Sequence, residues 1–597
     1  MITEAKAVLK EFWGYNDFRG LQGSIIQSIL SGKDTLGLLP TGGGKSLCYQ
    51  IPGMIYPGTT LVISPLVSLI ENQHNGLTER GIKSYHFKGS YPPGKLDEAF
   101  RNLRYGKYKF AFIAPERLGN VLFQEYISNA DISLLAVDEA HCISQWGFDF
   151  RPSYLNIQKI KELLPDIPTI ALTASATSRV KKDLLNALRI PDAKIFEGRV
   201  FRDNLILHRK FTPNKERQIL RLLVQLKGTG IIYAKTRRSC EQLSNFLNKE
   251  GFSSCYYHAG VDEASKQKNF NAWIRNKIRI MVATTAFGMG IDKDDVCWVI
   301  HWNVPDTLEG YYQEIGRAGR NGGKCKTYLL YNQFDIERLN KNIEKLPNIK
   351  GVEKFYQLFC SKHQIAVGAG MGLKVTFLMV ELAAKVNLSV PTLLSYIRLI
   401  QHRKLWQFIE NEQSVPQIQF HSIPSQWEHI HFGWKEILGS LYRQYPNALD
   451  TPCRIDKKRF AAMARVTPNK FDEILSSLTM KGLITYIPAK STSAIIFTEP
   501  RPMNKHLRFP KSFVDDYITS KSERTSKMLD FLQNDTCLNA QITTYFGQDE
   551  QGKCGTCSNC TINHYPDQSY VKKMLSEGLS FDDIWFDLNC NPDDLPK

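Results

Sequence analysis

From residue 34 to about residue 330 the chain alternates short β-branched runs with amphipathic stretches, and this alternation limits its fold more than any other feature. Candidate strands are Thr35–Leu39, Thr60–Ile63, Phe110–Ala114, Leu134–Val137 and Thr169–Leu172. A second set follows at Gly230–Tyr233, Ile278–Val282 and Val296–His301. Strands separated in this way by helices build parallel sheets covered on both faces. Gly198–Asn214 lies between the sets and reads as a hinge. The expected core is α/β: two doubly wound parallel-sheet lobes. A chain of 597 residues exceeds one core, so further domains should follow.

After residue 335 strands thin out, and residues 336–365 look helical. Residues 372–410, with ELAAKVNLSVPTLLSYIRLIQHRKLW, have the rhythm of a helix–turn–helix. A second such pattern, KKRFAAMARVTPNKFDEILSSLTMKGL, runs into ITYIPAKSTSAIIFTEP. That order is helix, turn at Thr467-Pro468, helix, then two strands around a polar Lys490–Ser493 tip. It resembles a winged helix, with a plain helical packing domain as the alternative.

The stretch LPTGGGKS, Leu39–Ser46, sits between a strand and a helix. Thr41, Gly42, Gly43 and Gly44 let backbone N–H groups converge on phosphate, and the following helix N-terminus favours an anion. Lys45 would pair with the β/γ-phosphates and Ser46 would hold Mg²⁺. Leu39 stands where a strict motif has its first glycine. A later strand ends in Asp138-Glu139-Ala140-His141, where Asp138 can reach Mg²⁺ and Glu139 can orient the attacking water. QEIGRAGRNG adds Gln313, Arg317 and Arg320, the arginines on one helical face and able to meet developing phosphate charge. The three elements in this order imply nucleoside-triphosphate hydrolysis.

Lys and Arg number 76 against 59 Asp and Glu, a formal charge of +17, which favours a polyanionic partner. No apolar run approaches the roughly 20 residues needed to cross a bilayer, so no membrane association and a cytoplasmic location are expected. In that compartment the 13 cysteines read as thiols or metal ligands. Cys537, followed by Cys554, Cys557 and Cys560 in CGTCSNC, can close a tetrahedral S₄ site. An iron–sulfur cluster or free thiols are the alternatives to zinc.

FRGLQ (Phe18–Gln22), TGGGKS, SPLVSLIENQ, APERL, DEAHCISQWGFDFRP, ALTASAT, TTAFGMGIDK and YYQEIGRAGRNG together resemble the RecQ family of DNA helicases, within superfamily two. The likeness is dense over residues 10–335. It implies two RecA-like lobes, at 1–198 and 199–335, then a helical and winged-helix-like region at 336–500. A cysteine zinc module at 501–565 and a short tail at 566–597 complete the reading. It implies ATP, Mg²⁺ and Zn²⁺ as cofactors, and single-stranded and forked DNA as partners. A monomer is expected, with other repair proteins as further partners and a nucleoid association if the source is bacterial.

Carried over by motif, Gln22 would read the adenine edge, Tyr15 would stack on the ring and Arg19 would lie nearby. Gly290 and Asp292 would face the nucleotide from the second lobe, while His141 and Thr173–Thr177 would couple it to the DNA path. Trp146, Phe148, Phe150 and Arg151 resemble the family's aromatic-rich loop, on which bases would stack. Phe148 departs from the histidine usual there. Ser64, Pro65, Arg117, Arg237, His258 and Thr284 are further candidate strand contacts. The implied activity is 3′-to-5′ DNA unwinding in repair, recombination and replication. A translocase that does not separate strands, an RNA helicase and a nucleotide-switched DNA-binding regulator are the alternatives.

The cysteine module is out of place for the resemblance, in which it follows the second lobe directly. Here winged-helix-like patterns intervene, through rearrangement or insertion. The Tyr486–Phe497 segment is the candidate hairpin for a strand-separating wedge.

Overall fold

The computed structural model describes residues 1–87, 98–101, 108–144, 150–285, 287–288, 293–413, 416–427, 429–488, 491–503, 507, 511–548 and 552–561. The tail expected at 566–597 lies outside the described residues. The chain divides into two compact units, one formed by Met1–Glu344 together with Ser520–Lys597, the other by Lys345–Thr519.

The first unit holds two parallel sheets. One has seven strands in the order β3-β4-β2-β5-β6-β1-β7. These are β1 Thr35–Leu38, β2 Thr59–Ile63, β3 Ser84–His86, β4 Phe110–Ile113, β5 Ile132–Val137, β6 Thr169–Thr173 and β7 Lys194–Glu197. β1, β2, β4 and β6 are buried along their whole length, as strands covered by helices on both faces must be. Because β5, β6 and β1 are parallel neighbours, the loops leaving them emerge side by side.

The second sheet runs β10-β11-β9-β12-β13-β8. Its strands are β8 Leu205–Phe211, β9 Thr229–Tyr233, β10 Ser254–Tyr257, β11 Ile280–Ala283, β12 Val296–His301 and β13 Cys325–Tyr331. β8 corrects the hinge expected over Gly198–Asn214: only residues 198–204 connect the sheets. β8 was hidden by its His208, Arg209 and Lys210, which a buried strand would not carry. At the sheet edge, Arg209 instead donates to the carbonyls of Phe531 (2.8 Å) and Asn534 (2.7 Å) at the end of helix Lys511–Gln533. Met528, Phe531, Leu532, Leu538, Ile542 and Phe546 join the core of the second lobe. The cysteine region thus packs on that lobe despite its late place in the sequence, and residues 345–519 between them form the other compact unit.

The other unit contains two three-stranded antiparallel sheets, β14-β19-β15 and β17-β16-β18. β14 is Lys374–Phe377, β15 Trp406–Gln413, β16 Gln417–Phe420, β17 Cys453–Arg454, β18 Ile484–Ile487 and β19 Ser491–Phe497. Helices Met379–Lys385 and Val390–His402 stand between β14 and β15, the latter helix capped by Ser389. Helices Lys457–Met463 and Pro468–Met480 stand between β17 and β18. The two winged-helix-like modules are nested: β15 and β19 pair from Trp406↔Phe497 to Gln413↔Ser491, and the second module fills the excursion between them. This corrects the Tyr486–Phe497 hairpin. β18 pairs with β16 and β19 with β14 and β15, so the two strands belong to different sheets. The expected tip residue Lys490 lies outside the described residues.

Candidate functional site

Leaving β1, the chain turns through Leu39–Ser46 into helix Leu47–Ile55, with Gly42 (φ 80°) and Gly44 (φ 69°) in the left-handed region. Gln22 opens helix Gln22–Leu30 and donates its amide to the carbonyls of Gly43 (3.0 Å) and Gly44 (3.2 Å), while its Oε1 accepts from the Arg19 N–H at 2.9 Å. The Arg19 guanidinium lies over the Tyr15 ring, 5.5 Å from its centroid. Ser46 Oγ accepts from Gln73 Nε2 at 2.9 Å, and Gln73 Oε1 in turn accepts from Gln50 Nε2 at 2.9 Å.

Asp138 follows β5 at the same sheet edge, its N–H donating to Ile63 O (2.9 Å) and its Oδ1 accepting from the Glu139 N–H (3.0 Å). Glu139 holds φ 46°, a left-handed conformation costly for a residue with a side chain and met most often at functional sites. His141 Nδ1 lies 2.9 Å from Thr173 Oγ1 and 3.4 Å from Glu139 Oε2, joining the acidic segment to the end of β6.

Burial pushes the Asp138 carboxyl up to about 7, the Glu139 carboxylate adds to this, and Lys45 opposes it. Burial acts on Glu139 in the same sense, but Lys45, His141, Arg317 and Arg320 outweigh it and hold that carboxyl below its ordinary value. A desolvated acid beside a carboxylate is relieved by a divalent cation. Ser46 Oγ spends one acceptor position on Gln73 and keeps another. The oxygen pair Ser46 and Asp138 therefore fits a hard cation such as Mg²⁺.

The second lobe faces this edge with helix Leu308–Ile315, capped by Thr307, and the turn after it, so Arg317 and Arg320 stand beyond the helix end rather than on the helical face expected for them. Gln313 and Arg317 are buried, and neither Gln313 Nε2 nor Arg317 Nε has a hydrogen-bond partner. The lobes touch closely: a Cβ on Gly316 would lie 1.7 Å from Thr41 Oγ1, and one on Gly42 would lie 3.1 Å from Arg320 Cγ. Together the two faces enclose a cleft of ≈ 630 Å³ lined by Tyr15, Gln22, Lys45, Glu139, Arg317 and Arg320 among others. Gly290 and Asp292 lie outside the described residues; Asp294 lines the cleft from that side.

In the cysteine region, one sulfur from each of Cys537, Cys554, Cys557 and Cys560 lies within 4.8 Å of the others. Cys554 and Cys560 are 3.9 Å apart, as are Cys557 and Cys537. Cys554 Sγ accepts from Asn539 Nδ2 (3.2 Å) and the Cys557 N–H (3.3 Å). Burial raises the Cys554 thiol, but these donors and Thr556 prevail and lower it to about 6, toward a thiolate, whereas burial holds the Cys537 and Cys557 thiols above their ordinary value.

The sequence matches the DEAD/DEAH box helicase family over residues 19–184, the helicase conserved C-terminal domain over 214–322 and the RecQ zinc-binding family over 509–561. A probable ATP-dependent DNA helicase RecS of Bacillus subtilis (strain 168) is 37% identical over 356 residues, covering 59% of this chain and 71% of that protein. The chain belongs to the RecQ family. The ATP-dependent DNA helicase RecQ of Pasteurella multocida is 38% identical, over 57% of this chain and 54% of that protein. For the RecQ-like DNA helicase blm-1 of Caenorhabditis elegans the identity is also 38%, over 60% of this chain and 37% of that protein. The chain thus spans between 37% and 71% of the length of these relatives. Among solved structures, S. cerevisiae Dbp5 bound to RNA and ADP BeF3 is 16% identical, with a TM-score of 0.47, covering 57% of this chain and 92% of that chain.

Of the strand-contact candidates read from the RecQ resemblance, Trp146 and Phe148 lie outside the described residues. Phe150 is half-buried, and Arg151 donates to Pro65 O at 2.5 Å. Ser64 follows β2, its N–H on Ile113 O (3.1 Å) and its buried Oγ without a partner; Arg117 closes the turn after β4. In the second lobe Arg237, His258 and Thr284 follow β9, β10 and β11 at one sheet edge. His258 is buried, however, and both ring nitrogens are engaged, with Glu241 Oε1 (2.9 Å) and the Gly260 N–H (3.2 Å). Arg237 packs beside it at Gly260.

Two residues that sequence reasoning passed over bear directly on the cleft. Gln73 was quoted inside SPLVSLIENQ without a role. Arg202 sits in the connecting segment and donates to Gly316 O (3.2 Å) and Gly319 O (2.6 Å), with Thr41 O at 3.5 Å. Its only signal was a charge in an apparent hinge.

Proposed function

We propose that the chain is an ATP-dependent DNA helicase that moves 3′ to 5′ on single-stranded DNA and separates duplexes in repair, recombination and replication. The observation that carries this reading is the pair of buried, unpartnered donors, Gln313 Nε2 and Arg317 Nε, across the cleft from Lys45 and the Asp138–Glu139 pair. Buried donors without acceptors are costly, and an anion bound between the lobes would satisfy them.

In this reading Lys45 and the N–H groups of Thr41–Ser46 hold the β- and γ-phosphates, and the Gln22 amide exchanges its loop carbonyls for the base edge. Ser46 and Asp138 would hold Mg²⁺, which neutralises phosphate charge. Glu139, kept ionised by the surrounding cations, orients the attacking water and accepts its proton. Arg317 and Arg320 meet the charge that grows on the transferred phosphoryl group. Because both lobes must touch the nucleotide, binding favours closure and hydrolysis releases it, so the grip on the strand alternates. Ser64, Arg117 and Arg151 on one lobe and Arg237 and Thr284 on the other supply the phosphate-tracking edges, with Trp146, Phe148 and Phe150 as the stacking surface.

The four cysteines would hold zinc. A tetrahedron with Zn–S of about 2.3 Å has edges near 3.8 Å, whereas a multi-iron cluster sets its thiolates farther apart. Two sulfur pairs at 3.9 Å, with all four sulfurs within 4.8 Å of one another, support a single ion, as does the match to the RecQ zinc-binding family. We place the protein in the cytoplasm as a monomer; no helix among the described residues is long and apolar enough to cross a membrane. Loss of the Tyr486–Phe497 hairpin removes the wedge candidate and favours, as the second reading, a DNA-stimulated translocase that leaves duplexes paired.

The test is the ATP hydrolysis rate with and without single-stranded DNA, beside strand displacement from 3′-tailed, 5′-tailed and RNA duplexes. DNA-stimulated hydrolysis with displacement of the 3′-tailed DNA alone is expected. Stimulation without displacement selects the translocase, and hydrolysis indifferent to DNA sinks both readings.

A further inference from the structure

The inter-lobe segment is held by a side chain from the cysteine module. Gln548 Oε1 accepts the Val200 N–H at 2.8 Å, and its Nε2 donates to Gly198 O at 2.8 Å. One amide thus spends both of its polar groups on the backbone either side of Arg199, as a neighbouring strand would. The turn that carries Gln548 is itself tied down. Tyr545 OH donates to Glu309 Oε1 (2.7 Å), and the Phe546 ring stands 5.1 Å from that of Tyr312, whose hydroxyl donates to Val200 O (3.0 Å). Gly547, at φ 80°, passes so near the first lobe that a Cβ there would lie 3.2 Å from Ser178 Oγ. A cavity of only ≈ 20 Å³ remains where Ala174, Gly198, Tyr312, Phe546 and Gln548 meet. One turn therefore touches the first lobe, the connecting segment and the second lobe.

We propose that Gln548 is a positioning residue for the cleft: it clamps Gly198–Val200 and so sets how readily the two lobes meet across one nucleotide. The inference rests on the reading of that cleft as an ATP site. Gly198 also donates to Leu38 O (2.7 Å) at the end of β1, and Arg202, a few residues on, reaches Gly316 O. The clamped segment thus runs directly from the sheet that carries the phosphate loop to the turn that carries Arg317. Freeing it lets the lobes sample arrangements in which the faces do not meet. Apparent nucleotide affinity then falls by the fraction of molecules in the competent arrangement, while the rate at saturation is recovered.

The experiment uses the full chain with Gln548→Leu and Gln548→Glu. KM for ATP and kcat are measured with saturating single-stranded oligonucleotide, and the affinity for a fluorescent ATP analogue is measured without turnover. Bound zinc and the thermal midpoint serve as controls. For the leucine variant KM and the analogue Kd should rise roughly fivefold or more, as loss of two hydrogen bonds implies, with kcat within twofold. The glutamate keeps the acceptor for Val200 but sets a carboxylate oxygen against Gly198 O, so its rise should be at least as large. Unchanged KM and Kd in the leucine variant overturn the clamp, as does a fall in kcat at constant KM, the mark of a merely structural role. Wild-type hydrolysis indifferent to DNA would remove the proposed function instead, and the analogue Kd would still judge the clamp.

Discussion

The two faces of the cleft differ in how far they are satisfied before anything binds. On the first lobe most polar groups pair with one another: Gln22 with the Gly43 and Gly44 carbonyls, Ser46 with Gln73, Asp138 with the Glu139 N–H, while Glu139 Oε2 is buried without a hydrogen-bond partner. On the second lobe Gln313 Nε2 and Arg317 Nε are buried and unpaired. The difference has a local cause. The first face is one loop and its sheet neighbours, which fold around each other, whereas the second is a helix end presented to a partner surface. A buried unpaired donor costs about 1–3 kcal/mol, recovered only when an acceptor arrives. The unpaired groups are thus an acceptor, Glu139 Oε2, on the first lobe and two donors on the second, and the proposed function assigns those donors to charge that develops during reaction.

The largest expected effect lies on the first face. Lys45→Ala should cut ATP turnover by about 100-fold or more while DNA binding stays measurable, because the same ammonium grips phosphate and keeps Glu139 ionised. A rise in KM alone, with kcat restored at high ATP, would confine Lys45 to binding. Arg317→Ala should come next. Here kcat should fall about 10²-fold with KM changed by less than about threefold, since the donor is needed most in the transition state. An effect on KM alone would erase the contrast between the faces.

How much of this was legible depends on what each residue does for its own neighbourhood. β1, β2, β4 and β6 were visible because strands buried on both faces leave unbroken apolar runs, and TGGGKS because close backbone approach to phosphate demands glycine. β8 was not, because its Arg209 serves helix Lys511–Gln533, distant in sequence. The nesting of the winged-helix-like modules was hidden for the same reason: the partner of β15 arrives only after a complete second module. Acidic and basic site residues were named from type and order, but Gln73, Arg202 and Gln548 act through amide and guanidinium geometry that no local pattern records. His258, named as a strand contact from the RecQ resemblance, has both ring nitrogens engaged, at Glu241 and Gly260, which its place in the sequence does not record.

The smallest expected effect tests whether the acidic segment reports to the rest of the first lobe. Thr173 Oγ1 meets His141 Nδ1 at 2.9 Å, deep in the core, and lies 3.4 Å from the Ser175 N–H. Beyond it, Thr177 caps helix Ser178–Ala187, whose Asp183 accepts from Ser144 Oγ at 2.7 Å, next to Gln145 where the aromatic-rich segment begins. Ser144 is thus linked to Glu139 partly through side-chain contacts, Ser144–Asp183 and Thr173–His141–Glu139, and partly through helix Ser178–Ala187 and the backbone that joins it to Thr173. Thr173→Val keeps the shape and removes the hydroxyl, a loss of about 1 kcal/mol at one link. Basal hydrolysis should stay within about twofold, while the ratio of DNA-stimulated to basal rate should fall about threefold, read from matched ATPase assays with and without oligonucleotide. If the basal rate dropped as far as the stimulated one, the hydroxyl would belong to the binding face, and the first lobe would have to carry its signal by another path.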